Sequence, residues 1–360
     1  MKLARSSALV TILLVGAILL GIALVSGVSY EQVHRAQDRE SLPQIGRSVF
    51  IGGRALNIDC SGAGSPAVIL QSGAPWALLK SPRTIFGSSG PRPGYGWAWI
   101  QRNVAQFTRT CWYDPAGAGW SDLGPYPRDS ASQAHDLHTV LSAMEIPPPF
   151  VLVAESSAAL DAHVYTGFYP SEVAGLVLVD GVHHDLFLKT RSGGDRMARL
   201  PGFVGHSQDL MAQFFHLTGF YRLGITGNPP PSPPKGITAA EWNTIWRLTR
   251  SSKARAALMQ DIGAWPLSAA EARAAGTLGS RPLRVISAPG DPLQTDLAGL
   301  STRGQQITVD SAPGNSIYQA ADSIIEAIRQ VVAEAAVLKR SPVTEPRPPA
   351  IAVPRVRAGF

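Results

Sequence analysis

This sequence of 360 residues predicts an α/β fold: a mostly parallel central sheet with flanking helices, interrupted by an inserted helical cap and preceded by a transmembrane helix. Three observations lead there. Short β-rich runs at 47–51, 55–60, 67–71 and 108–113 are separated by Gly, Ser and Pro. The runs at 150–153 and 175–179 are apolar without alternation, the pattern of strands buried on both faces of a parallel sheet. Between and around them lie stretches with helical spacing, which places strand, helix and strand in β-α-β order.

Taken in order, the chain opens with two positive charges, Lys2 and Arg5, followed from Ala8 to Val28 by no charged residue at all. A bilayer-spanning helix needs about 20 such residues, whereas a cleavable signal peptide has a shorter apolar run. Residues 1–29 are therefore expected to form an uncleaved anchor. Its basic flank would stay in the cytoplasm and the rest would lie on the extracytoplasmic side. Cleavage near Val25-Ser26-Gly27 would instead make the protein secreted. Residues 30–45 are polar and suit a spacer, and folding is expected from Gly46.

Residues 129–144 carry Ala134, Leu137, Val140, Leu141 and Met144 on one side, the spacing of a helix that Pro147-Pro148-Pro149 stops. Two further runs, 283–288 and 306–309, read as strands. Residues 320–338 form an amphipathic helix with Ile324, Ile325, Ile328, Val331 and Val332 inward. Core is thus expected over 46–185 and 280–338. Residues 186–279, rich in Trp, Phe, Leu, Met and Arg and without convincing strands, read as the cap. The Pro-rich basic tail 339–360 reads as disordered.

Composition excludes several functions. A net charge of +6 is spread along the chain without a binding module, so no nucleic-acid partner is expected. The glycines at Gly117–Gly119 lack the Lys-Ser/Thr ending of a phosphate-binding loop, and two cysteines cannot by themselves make a structural zinc site. No cofactor and no metal are expected.

The chemistry concentrates in Phe150-Val151-Leu152-Val153-Ala154-Glu155-Ser156-Ser157-Ala158-Ala159-Leu160, an apolar strand that enters a helix through small residues with serine at the turn. A nucleophile elbow requires small residues two before and two after its serine, here Ala154 and Ala158. A serine helix cap would look similar.

Two further stretches decide between these readings. Asp114-Pro115-Ala116-Gly117-Ala118-Gly119-Trp120-Ser121-Asp122 resembles the strand-end turn of the α/β-hydrolase (serine hydrolase) superfamily. Ser171-Glu172-Val173-Ala174-Gly175-Leu176-Val177-Leu178-Val179-Asp180 resembles that family's sixth-strand region. The resemblance covers roughly 46–184 and 281–332.

It implies Ser156 as nucleophile, with the backbone N–H groups of Ser157 and Ala74 as the oxyanion hole. Asp291 falls at the acid position, with Asp180 as a second candidate. It also implies that the second and fourth strands are antiparallel neighbours, which makes a Cys60–Cys111 disulfide plausible.

The histidine is where the pattern fails. In Ser311-Ala312-Pro313-Gly314-Asn315-Ser316-Ile317-Tyr318, Asn315 stands where the family has its histidine, and the last histidine of the chain is His216. Asparagine has no proton to exchange near neutral pH and cannot take one from the serine. Losing the histidine of a serine triad costs roughly 10⁶-fold in turnover in a well-measured case. Glu155, in a place the family often gives to histidine, and His183, close after Asp180, are the alternative bases.

The expectation is a degenerate catalytic triad, with weak or absent hydrolysis and binding of a small acyl or apolar ligand, or of a partner at the cap. The competing reading is an active esterase, lipase or amidase with an unusual base. A third is a purely structural envelope protein.

Overall fold

In a computed structural model, residues 2–74, 90–188, 203–223, 232–311 and 316–340 are described. Eight strands form one sheet: β1 (Arg47–Phe50), β2 (Ala55–Ser61), β3 (Ala67–Gln71), β4 (Thr110–Tyr113), β5 (Phe150–Glu155), β6 (Val173–Val179), β7 (Leu283–Ser287) and β8 (Gly304–Thr308). Their order is β1-β2-β4-β3-β5-β6-β7-β8. Only β2 runs against its neighbours; every pairing from β4 through β8 is parallel.

Because side chains alternate along a strand, β5 feeds two layers at once. Phe150, Leu152 and Ala154 join Leu137, Leu141, Leu160 and Tyr165 on the face covered by α3 (Ser130–Ala143) and α4 (Ala158–Phe168). Val151 and Val153 join Trp97, Ile100, Ile324, Ile328 and Val331 on the other face. That face is covered by α2 (Ala98–Val104) and α12 (Ala321–Arg340). Each buried Val, Leu, Ile and Phe among these contributes about 1.5–3 kcal/mol of transfer free energy.

The helical insertion follows β6. It comprises α5 (Asp185–Leu188), α6 (Phe203–Leu217), α7 (Phe220–Leu223), α8 (Ala239–Thr249) and the 24-residue α9 (Ser252–Ala275). Helix α8 opens with a capping box between Thr238 and Glu241. Two short helices complete the set, α10 (Pro292–Ala298) after β7 and α11 (Ser316–Gln319) after β8. The expected tail lies outside the described residues from 341 on.

The N-terminal helix α1 runs without a break from Lys2 to Ser41. From Val10 to Val25 its apolar side chains are exposed all round, and it is long and apolar enough to cross a membrane. The stretch read from sequence as a spacer is the far end of this same helix and is anchored to the cap. Glu31 is fully buried; its carboxylate accepts from Arg35 (2.8 Å), Arg222 (2.6 Å) and Ser252. Asp38 accepts from Arg222 (2.8 Å) and Arg247 (3.3 Å). Polar composition reads the same in a linker as in a helix whose charges meet partners distant in sequence, which is why the sequence pointed the other way.

Cys60 and Cys111 are cross-strand partners on β2 and β4 and form a disulfide.

Candidate active site

Strand β5 ends at Glu155 and α4 begins at Ala158, so two residues make the turn. Ser156 takes φ +55°, a left-handed conformation costly for a residue with a Cβ, and it is buried. Its N–H donates to the Val179 carbonyl (3.0 Å) and its own carbonyl accepts from Val182 N–H (3.0 Å), which ties the turn to the end of β6. Ser157, the N-cap residue of α4, makes no capping bond through its side chain.

The loop after β3 closes over this turn. A Cβ on Gly73 would lie 2.4 Å from the Ala158 amide nitrogen and 2.6 Å from the Glu155 carbonyl oxygen, so only glycine allows the approach. The small residues expected at Ala154 and Ala158 thus have a third companion in Gly73. The approach sets two hydrogen bonds side by side: Ser156 Oγ donates to the Ala74 carbonyl (2.8 Å), and Ala74 N–H donates to Ser157 Oγ (2.9 Å). The amide expected to serve an oxyanion is directed at a neighbouring hydroxyl. Above it, Ala74 packs with Leu258 and Trp265 of α9, and with Phe187 and Ile262, in an apolar wall.

The other side of the turn is charged. Glu155 follows Val151 and Val153 on the α2/α12 face, where its carboxylate pairs with Arg92. Burial pushes the Glu155 carboxyl above its ordinary range against the pull of Arg92. The Arg92 guanidinium lies 5.0 Å from the centre of the Tyr318 ring, a cation–π contact, and interacts electrostatically with Asp180. Burial raises the Tyr318 phenol to about 12, so it stays neutral. Tyr318 lies on α11, three residues after the expected histidine position, so this corner is where α11 meets the elbow. Asn315 itself lies outside the described residues.

Asp180 ends β6 with φ +47° and is buried, its N–H held by the Ile286 carbonyl (2.8 Å). The Asp291 carboxylate accepts Leu293 N–H (3.0 Å) as the N-cap of α10. His183 is buried, with Nδ1 accepting the Asp185 N–H (3.1 Å) and its ring stacked on His184 at 4.1 Å. Burial and the neighbouring His183 lower His184 to about 4, which keeps it neutral.

Of the residues expected from sequence, the fold brings together Ala74, Glu155, Ser156, Ser157 and Asp180. Arg92 and Tyr318 complete the corner, and sequence reasoning missed their roles. Arg92 lies in Gly90-Pro91-Arg92-Pro93-Gly94, a loop with no periodicity to mark one arginine as buried.

The turn after β4 is organised by a buried carboxylate. Asp114 accepts from Asn57 Nδ2 (2.9 Å), Gly94 N–H (2.6 Å) and Trp120 N–H (2.9 Å). Gly119 sits at φ +46° with the position of a Cβ only 2.2 Å from that carboxylate, which explains a glycine there.

No family model matches the chain. A protein of Gibberella zeae described as an AB hydrolase superfamily protein is 25% identical over 201 residues, 52% of this chain and 61% of its own length. An uncharacterized vacuolar membrane protein of Saccharomyces cerevisiae is 32% identical over 114 residues, 31% of this chain and 18% of its own. The chain thus spans under two thirds of either relative.

Among solved structures, a haloalkane dehalogenase variant from Bradyrhizobium elkanii has a TM-score of 0.58 at 14% identity, covering 82% of this chain and 98% of its own. An esterase from Thermogutta terrifontis has a TM-score of 0.52 at 16% identity, covering 81% and 99%. At such identities the likeness speaks for the fold. With the strand order, the strained serine elbow and these neighbours in agreement, the chain has the α/β-hydrolase fold, joined to an N-terminal helix long and apolar enough to cross a membrane.

Proposed function

We propose that this is a membrane-anchored relative of the serine hydrolases that binds a small acyl or apolar ligand and hydrolyses weakly or not at all, with its folded domain on the extracytoplasmic side. The observation that carries this reading is the pair of hydrogen bonds joining Ser156 Oγ to the Ala74 carbonyl and Ala74 N–H to Ser157 Oγ. An oxyanion hole works through donors aimed at the developing charge; a donor already engaged must break its bond first. The absence of any histidine after His216 removes the usual proton acceptor, and Asn315 cannot replace it. The apolar wall of Leu258, Trp265 and Phe187 beside Ala74 favours an acyl or other apolar ligand. The basic flank of α1 and the Cys60–Cys111 disulfide favour the extracytoplasmic side, where disulfides persist.

One observation favours a second reading, an active esterase, lipase or amidase with Glu155 or His183 as base: Ser156 keeps the strained backbone of a nucleophile elbow. Labelling of the detergent-solubilised full chain with a fluorophosphonate decides between them. The proposal expects no labelling of the parent and a gain in Asn315→His. Labelling of the parent that disappears in Ser156→Ala overturns it in favour of the active hydrolase.

A further inference from the structure

Cap helix α6 is turned the wrong way round for water. Its inward positions include Asp209 and His216, both buried, and its outward ones carry the apolar Leu210, Met211, Phe214 and Leu217 beside the polar Ser207 and Gln213; with Phe220 of α7 the five apolar side chains are 48–56% exposed. On a helix of 3.6 residues per turn the four outward apolar α6 side chains fall in one stripe about 120° wide. The inward polar groups are satisfied. Asp209 accepts from Gln213 (2.9 Å) and Gln260 (2.5 Å), and His216 meets Ser252 Oγ (3.0 Å) and Arg35 Nη2 (2.7 Å). The apolar stripe is therefore left outside a helix whose polar face is already committed inward.

The place of this stripe along α1 says what covers it. Helix α6 meets α1 at its C-terminal corner. A Cβ on Gly27 would lie 2.5 Å from the Thr218 carbonyl oxygen, and one on Gly219 would touch Gly27, Tyr30 and Glu31 at 3.2–3.4 Å. Gly27 and Val28 end the apolar run, Ser29 and Tyr30 follow, and Glu31 is the first acid after them, so the corner sits at the level where α1 leaves the hydrocarbon. The Glu31, Asp38, Arg222 and Arg247 ion pairs hold it there.

We infer that the outward face of α6 and α7 is a membrane-docking surface: Leu210, Met211, Phe214, Leu217 and Phe220 lie in the interface of the same bilayer that α1 spans, as the apolar face of an interfacial helix does. This rests on the membrane reading of α1 and adds a second, non-spanning contact that fixes the cap against the lipid.

The test uses nitroxide labels on the full chain in phosphatidylcholine vesicles. Both native cysteines are in the disulfide, so each introduced thiol is labelled alone. Labels go at Phe214→Cys and Leu217→Cys, with Leu19→Cys inside the span and Ser142→Cys on an exposed core helix as references. Accessibility to oxygen relative to a water-soluble nickel complex is expected to be several-fold higher at 214 and 217 than at 142, and close to that at 19. If 214 and 217 match 142 while 19 reads as lipid, the docking surface is refuted and the anchor stands. If 19 also reads as water, the anchor fails and takes the inference with it. Labels at 214 and 217 shielded from both reagents would mean a protein covers this face, which also refutes it.

Discussion

At the scale of single residues, the site is defined by what its polar groups already hold. Ser156 is strained and Ala74 N–H is engaged, while Glu155 and Arg92 neutralise each other a residue away. Removing one partner of a buried pair strands the other's charge, whereas replacing both with apolar groups does not. Glu155→Gln is therefore expected to lower the unfolding free energy by about 3 kcal/mol, read from the denaturant midpoint. Glu155→Leu combined with Arg92→Met should recover most of that loss; equal losses in both variants would mean the pair adds nothing. The elbow serine was legible in sequence because steric demand forces small residues around it. Arg92 was not, because a buried arginine leaves no local pattern.

At the scale of elements, carboxylates tie α3 to α4 and tie α3 and the residue before its cap to α9. Ser130 Oγ donates to Asp161 (2.5 Å), Ala131 N–H to Glu271 (3.0 Å), and Arg128 faces Asp261 at 3.8 Å. Burial raises Asp161 and Asp261 to about 7 and Glu271 to about 8, with neighbouring acids adding to the effect at Asp161 and Glu271. The folded state therefore holds protons that the unfolded chain releases near pH 4. The associated stability is fully present below about pH 4 and is lost as pH rises through 7 to 8. Thermal unfolding should show a loss of about 2 kcal/mol for each such carboxylate between pH 5.5 and pH 8.5, and Asp161→Asn should flatten that slope by one group's share. A profile that is flat in the parent would show these carboxylates to be ordinary. The helices themselves were legible from spacing, since Leu137, Val140 and Leu141 repeat at the period of a buried stripe. Their acidic contacts were not, because Asp161 lies 100 or more residues from Asp261 and Glu271 in sequence.

At the scale of the whole molecule, α1 is both a helix long and apolar enough to cross a membrane and a structural part of the cap. The network around Glu31 links residues up to 221 positions away in sequence. Arg222→Ala leaves a fully buried carboxylate with one cation fewer. Hydrogen exchange of the full chain in micelles should then accelerate in α6 and α7 by about a hundredfold, the equivalent of some 3 kcal/mol of local stability, while β5 and β6 hold their protection. Unchanged exchange in α6 would mean the two helices merely touch.

The sequence by itself determined the sheet, the elbow and the loss of the histidine. Each is written in local information: apolar runs of strand length, small residues about a serine, and a residue type missing from the last third of the chain. It also determined that α1 is long and apolar enough to cross a bilayer, since that needs only length and absence of charge. The tertiary structure alone decided that residues 29–41 dock on the cap, that Asp291 caps a helix while Asp180 faces Arg92, and that Ala74 is already hydrogen-bonded. Those outcomes depend on which distant partner satisfies a buried polar group, and burial of such groups is fixed only once the layers have packed.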